Sequence, residues 1–215
     1  MMTDVERWTP VDLSDGRVAE GLADQLRARA VRLEAGERHV GWKVAWNDRL
    51  TQSRLSLGGC AFGFLTDRTR IDVPQRVPLD GVTLGAAEPE LAIHLCADVP
   101  AAAADEALAA AIDCVAPAIE VLDINGRFDD VAGVLRRNVF HRSYYIFEAP
   151  FRPEPGLLDG VAILATRNGQ PASIPVRPAE VMGRPSEVVR FLAESLAQFR
   201  ERLHAGDWIL SGMLT

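Results

Sequence analysis

The stretch Gly85-Ala86-Ala87-Glu88-Pro89-Glu90-Leu91-Ala92-Ile93-His94-Leu95 alternates between two kinds of side chain. In an extended segment, successive side chains point to opposite faces. Glu88, Glu90, Ala92 and His94 then share one face, and Pro89, Leu91, Ile93 and Leu95 share the apolar one. A second extended run, Pro117-Ala118-Ile119-Glu120-Val121-Leu122-Asp123-Ile124, sets Glu120 among side chains suited to burial and turns Asp123 to the other face. Carboxylates gathered in a dry site repel, and some must take up protons unless a cation joins them. A hard divalent ion resolves the conflict, because Mg2+ and Mn2+ prefer carboxylate oxygen. Glu88, Glu90 and Glu120 are therefore the candidate metal ligands. The competing reading is a solvated sheet face, which a lone Glu-x-Glu pair would fit better. Glu120 weighs against it, and so does Pro89, since proline inside a strand belongs at edges, starts and bulges.

Outward from these strands the chain reads as a mixture of both element types. An amphipathic helix is expected over Ser14 to Glu34, with Ser14 as cap and Gly36 as stop. A strand follows from His39 to Trp46, then a short helix from an Asn47 cap to Leu55, and short strands at Ala61 to Leu65 and Arg70 to Val73. The segment Val77 to Gly85 leads into the Glu-Pro-Glu strand. The Ala-rich stretch Ala101 to Ile112 favours a helix. Beyond Glu120 come a short helix at Asp129 to Leu135 and an aromatic strand at Ser143 to Phe147. Val161 to Val176 reads as a hairpin turning at Asn168-Gly169. Pro185 starts a helix to about Leu203, with Val188, Leu192, Leu196 and Phe199 inward, and a last strand starts near Asp207. Few strand pairs have a regular helical crossover between them, which points to an α+β fold. Residues 1–38 read as an N-terminal helical segment and 39–215 as the main domain.

At 215 residues the chain is long enough for one sizeable core. A net charge of -7, without a basic stripe, speaks against a nucleic-acid partner. Nothing approaches the apolar run of about 20 residues that a membrane-spanning helix needs, and the first residues lack the pattern of a secretory signal. Cys60, Cys96 and Cys114 lack close metal-ligand spacing and read as reduced cytoplasmic thiols.

Several segments, taken in order, resemble one family: the 2-keto-4-pentenoate hydratases and 4-oxalocrotonate decarboxylases. Gly41-Trp42-Lys43-Val44 resembles its Gly-aromatic-Lys strand, and Phe62-Gly63-Phe64-Leu65-Thr66-Asp67 its Phe-Gly-x-Leu-x-Asp element. Ala87 to Ala92 and Pro117 to Asp123 resemble its two ligand-bearing strands. Val181-Met182-Gly183-Arg184-Pro185 and Ala205 to Gly212 resemble its C-terminal half.

The resemblance implies the fumarylacetoacetate hydrolase-like fold, a mixed β-sandwich roll flanked by helices. It implies Mg2+ or Mn2+ on Glu88, Glu90 and Glu120, chelating a small 2-oxo acid. Lys43 and Asp67 become the catalytic candidates, and Asn138, Ser211 and Gly212 the substrate-binding ones. The implied activity is a metal-dependent hydro-lyase acting on a 2-hydroxydienoic or 2-oxo acid in aromatic-compound catabolism. A 4-oxalocrotonate-type decarboxylase is the close alternative.

Read without the resemblance, Lys43 could lay its stem along apolar surface, Asp67 could be a turn residue, and His94 a packed histidine. Two departures from the family pattern stand out. Its members continue beyond Ser211-Gly212-Met213-Leu214 with strands that close the sheet, so an open edge covered by a neighbouring subunit is expected here. An acid that normally precedes the retained Asn138 is replaced by Arg137, and bulky residues follow through Arg142. Arg137, His141 or Arg142 could meet a further substrate carboxylate, or lie at the surface. A homo-oligomer is expected. The alternatives include a non-catalytic partner subunit in a hetero-oligomer with a full-length relative.

Overall fold

The computed structural model describes residues 8–72, 80–152, 157–172 and 175–214. In chain order the elements are α1 (Gly16–Glu34), β1 (His39–Ala45), α2 (Arg49–Leu55), β2 (Ala61–Thr66), β3 (Gly85–Leu95), α3 (Asp105–Ala110), β4 (Ile112–Asp123), α4 (Val131–Arg136), β5 (His141–Ile146), β6 (Thr166–Arg167), β7 (Gln170–Pro171), α5 (Pro178–Met182), α6 (Pro185–Ala197) and β8 (Trp208–Leu210). Six strands form one sheet in the order β2-β1-β8-β3-β4-β5, and β6-β7 form a hairpin. The β1–β8 pairing is parallel and the other pairings in the sheet are antiparallel, giving the expected α+β architecture with a mixed sheet.

Alternation along the strands divides the sheet into two unlike faces. Trp42 and Val44 of β1, Phe62 and Phe64 of β2, and Leu91, Ile93 and Leu95 of β3 enter the main core. There they meet Leu22 of α1, Leu135 of α4 and Val188, Leu192 and Leu196 of α6. The opposite face has a smaller apolar cluster of Leu65, Ala92, Ala116, Ala118, Tyr144, Ile146 and Leu210. Small side chains there leave room for long polar ones.

The helix α1 is tied into this main core. Leu22 is buried, Gln25 Nε2 donates to the Phe62 and Leu135 carbonyls at 3.1 and 2.9 Å, and the Arg29 guanidinium lies 4.7 Å from the Trp42 ring centroid.

The final strand β8 lies between β1 and β3, so β2 and β5 form the sheet's edges among the described residues. Side chains blunt the β2 edge. Asn138 Oδ1 accepts from Phe64 N–H at 2.8 Å, and Asn138 Nδ2 donates to the Phe64 carbonyl at 2.8 Å. Satisfied backbone groups cannot template a further strand. On β5, Ile71 N–H donates to the Tyr144 carbonyl at 2.8 Å.

Several element boundaries differ from the sequence reading. Asp15, not Ser14, caps α1 by accepting from Arg17 N–H. Asp48, not Asn47, caps α2, and the Asn47 amide instead donates to the Met213 carbonyl at 3.0 Å. α3 ends at Ala110 because Ile112 already pairs with Leu95 in β4. α6 ends at Ala197 rather than Leu203, and α5 was not foreseen. Arg70 makes only an isolated bridge with Tyr144, and Val73 and Val77 lie outside the described residues. Asn168 and Gly169 have φ of 52° and 76°, as the hairpin turn requires. Among the described residues no helix is long and apolar enough to cross a membrane.

Candidate metal centre

β3 and β4 bring the three glutamates together through their register. Glu88 lies directly opposite Glu120, and Glu90 opposite Ala118, so the carboxylates share one face of the ribbon. One oxygen from each of Glu88, Glu90 and Glu120 falls within 4.8 Å of the others. Glu90 and Glu120 are buried and Glu88 is half-buried. Pro89 lies beyond the β8 pairing, where its missing N–H breaks no ladder bond, and its carbonyl accepts from Leu214 N–H at 3.1 Å.

Lys43 reaches this cluster from β1. A flat sheet would hold β1 and β4 about 14 Å apart, so the ion pair between Lys43 Nζ and Glu120 Oε1 requires a strongly curved sheet. Gly63, paired with Lys43, provides the slot for its stem. A Cβ at Gly63 would fall 2.9 Å from Lys43 Cγ and 2.6 Å from Asn138 Oδ1. Lys43 is 2% exposed, so its nitrogen belongs to the site and not to solvent.

His141 completes the surroundings of Glu120. Its Nδ1 lies 2.6 Å from Glu120 Oε1 and its Nε2 3.1 Å from Thr69 Oγ1, with the side chain fully buried. The sequence reading offered His141 only as a partner for a substrate carboxylate or a surface residue. A β-bulge between Val121 and Leu122 shifts the pairing with β5 at this point, and no local periodicity announces that.

Burial pushes the Glu88 carboxyl up to about 7, with Lys43 opposing and Glu120 adding to the rise. Glu90 is raised well above the ordinary carboxylate range by burial and by the charges of Glu120 and Glu88. For Glu120 burial also acts upward, but Lys43 and His141 outweigh it and its pKa is lowered. Burial lowers His141, although Glu120 pulls the other way. The cluster therefore has one carboxylate compensated by the protein and two that favour a proton. Glu90 Oε1 and Glu120 Oε2 are buried without a hydrogen-bond partner among the described residues. Three converging acids, two of them with an orphaned carboxylate oxygen, fit a hard divalent cation.

The remaining sequence candidates make the following contacts within the protein. Ser211 Oγ accepts from Leu91 N–H at 3.2 Å, and Gly212 N–H donates to Glu90 Oε2 at 2.8 Å. Gly212 has φ 87°, and a Cβ there would meet the Asn47 side chain at 2.7 Å. Gly212 therefore holds the Glu90 carboxylate, and Ser211 holds the backbone at the following residue. Asn138, expected to contact substrate, uses its amide on the Phe64 N–H and carbonyl. Asp67 accepts from Arg38 N–H and Nε at 2.9 Å each. Those hydrogen bonds hold its carboxyl below the usual range and commit it to tying β2 to the chain before β1. Arg137 Nη1 donates to the Gly133 carbonyl at 3.0 Å at the end of α4.

No family model matches the chain. It is 32% identical over 195 residues to the 2-hydroxyhexa-2,4-dienoate hydratase of Comamonas testosteroni, covering 88% of this chain and 73% of that protein. It is 28% identical over 206 residues to the 2-keto-4-pentenoate hydratase of Paraburkholderia xenovorans, covering 93% and 75%. Its fold is similar to that of the 4-oxalocrotonate decarboxylase of Pseudomonas putida G7 complexed with magnesium and adipate. The TM-score there is 0.79 at 22% identity, over 92% of this chain and 76% of that one. A third of the residues shared with a dienoate hydratase across most of both chains, on this sheet, decides the relationship: the chain belongs to the 2-keto-4-pentenoate hydratase and 4-oxalocrotonate decarboxylase family.

Proposed function

We propose that the chain is a divalent-metal-dependent hydro-lyase that adds water to a small 2-hydroxydienoic acid, or its 2-oxo tautomer, in aromatic-compound catabolism. The observation that carries this reading is the meeting of Glu88, Glu90 and Glu120 on one face with the buried Lys43 nitrogen beside them. The relatives' activities and the magnesium in the P. putida structure support it.

Glu88, Glu90 and Glu120 would hold Mg2+ or Mn2+. Such an ion acts as a Lewis acid on a 2-oxo carbonyl and stabilises enolate charge. The chain's own residues then supply order and protons. Gly212 fixes the Glu90 carboxylate, Ser211 holds the β3 backbone at Leu91, and His141 fixes Glu120, so the acids converge before substrate arrives. Hydration of a 2-hydroxy-2,4-dienoate removes the hydroxyl proton, protonates C5, adds water oxygen at C4 and places a proton on C3. Lys43 Nζ is the buried group suited to carry these protons, and burial keeps bulk water from adding at the wrong carbon. Asp67 enters as a positioning residue through Arg38, and Asn138 through its support of β2 at Gly63.

The decarboxylase of similar fold gives a second reading, loss of carbon dioxide from a 2-oxo diacid through the same enolate chemistry. Lys43 Nζ would then protonate the carbon left behind. The free thiols of Cys60, Cys96 and Cys114 suit a cytoplasmic enzyme. We place it there as a homo-oligomer.

Calorimetric titration with Mg2+ and Mn2+, with and without oxalate as a chelating 2-oxo acid mimic, tests the site. Binding that oxalate strengthens and that Glu88→Gln/Glu90→Gln removes is expected. A folded protein that binds neither ion would refute the enzymatic reading in favour of a non-catalytic partner subunit. Loss of dienol absorbance without carbon dioxide release identifies the hydratase, and carbon dioxide from an oxalocrotonate-type diacid identifies the decarboxylase.

A further inference from the structure

We propose that His94, Asp113 and Cys114 form a second cation site, for Zn2+ or a comparable borderline-soft transition-metal ion, at the end of the β3–β4 ribbon away from the glutamates. One nitrogen, one oxygen and one sulfur from these residues lie within 4.8 Å of one another. The backbone explains how two consecutive residues both reach a histidine on the neighbouring strand. His94 pairs with Cys114 and Leu95 with Ile112, so Asp113 is the extra residue of a β-bulge. A bulge breaks strict alternation and re-aims a side chain that would otherwise point away.

The imidazole is already held in place. Its ring centroid lies 4.5 Å from that of Trp208, and Nδ1 lies 2.8 Å from Asp113 Oδ1. Asp113 also takes a hydrogen bond from the Cys114 thiol, so the acid joins the other two donors. Burial, together with Asp113, pushes that thiol up to about 11. A bound cation would displace the thiol proton, because coordination requires the thiolate. The side chains of His94 and Asp113 are 26% and 39% exposed, which gives an ion an entry path and leaves a fourth position to water.

Donor chemistry separates this site from the glutamate cluster. A mixed N/O/S set favours Zn2+ and its neighbours, whereas the all-oxygen set favours Mg2+ or Mn2+. His94 lies four residues beyond Glu90, about 14 Å along the strand, with buried Ala92 and Ala116 between them. The same ion cannot serve both ends. Bound there, it would pin the bulge and the two strands that carry the glutamates.

Cobalt(II) titration tests the proposal, because thiolate coordination gives a sulfur-to-metal charge-transfer band that carboxylates cannot produce. A Cys96→Ser background removes the exposed thiol, and Cys60 is buried. The band is expected at one equivalent, unchanged by Glu88→Gln/Glu90→Gln and absent after Cys114→Ser. His94→Gln should weaken cobalt binding, and Zn2+ should slow alkylation of Cys114 about tenfold or more. A folded Cys96→Ser protein without the band, or a band that survives Cys114→Ser, would overturn the proposal. So would a His94→Gln protein of unchanged affinity.

Discussion

Glu88 faces Glu120 across the β3–β4 ladder at one end, and His94 faces Cys114 at the other. The register is the same kind of antiparallel pairing, yet the two ends handle their polar groups differently. At the glutamate end three acids converge, and the protein compensates one of them with Lys43 and His141. Two buried oxygens, on Glu90 and Glu120, have no hydrogen-bond partner among the described residues, and burial raises the pKa values of Glu88 and Glu90. At the histidine end Asp113 hydrogen-bonds both neighbours and the groups stay half-exposed. One end needs a cation to relieve repulsion, and the other has the donors for one without that repulsion. Depth of burial, more than strand pairing, sets this difference.

The largest effect should come from breaking the glutamate end alone. Glu120→Gln is expected to lower kcat/KM about 10³-fold, the scale of losing a central charge-stabilising group. It should leave the cobalt–sulfur band intact. Steady-state kinetics and absorption spectra on the same preparation check both halves of that statement.

Asn138→Ala sharpens the contrast between site and frame. It leaves the buried Phe64 N–H and carbonyl without their side-chain partner, which should cost about 3 kcal/mol in urea unfolding. If stability is unchanged and only substrate KM rises, Asn138 is a substrate contact after all.

The pH dependence of stability separates the two ends further. Glu88 and Glu90 hold protons more tightly folded than unfolded, so the metal-free protein should lose stability as pH rises above the ordinary carboxylate range, for Glu88 through about 7. Glu120 acts in the opposite sense, contributing stability that is lost as pH falls through its lowered pKa. Between pH 5 and 8 the first effect should dominate. A fall in Tm on the order of 5 °C is expected by thermal scan, recovered with Mg2+ or Mn2+. A flat profile in Glu88→Gln/Glu90→Gln would assign it to these acids.

The smallest effect concerns His141. Removing this partner of Glu120 by His141→Ala should weaken metal binding about tenfold, measured by calorimetry. Unchanged affinity would mean that Lys43 alone holds Glu120 in place.

Much of this was legible in the chain. Period-two alternation placed Glu88, Glu90 and His94 on one face and Leu91, Ile93 and Leu95 in the core, as found. Glu120 betrayed itself as an acid in an apolar run. Tertiary pairing decided the rest. Two bulges, at Asp113 in β4 and at Arg142 in β5, set the His–Asp–Cys cluster and the placement of His141, and a bulge leaves no periodic trace. Asn138 and Ser211 carried the right chemistry for substrate contacts and Asp67 for acid–base catalysis, but which backbone group or side chain takes up their hydrogen bonds depends on strands distant in sequence.

The sequence by itself determined the face of each strand and the donor type at each position, because side-chain direction and chemistry are local properties. Only the tertiary structure decided which acid Lys43 meets, since curvature brings β1 and β4 together across two intervening strands. It also decided which carboxylates keep their protons, because burial and neighbouring charge belong to the assembled sheet and to no segment of it.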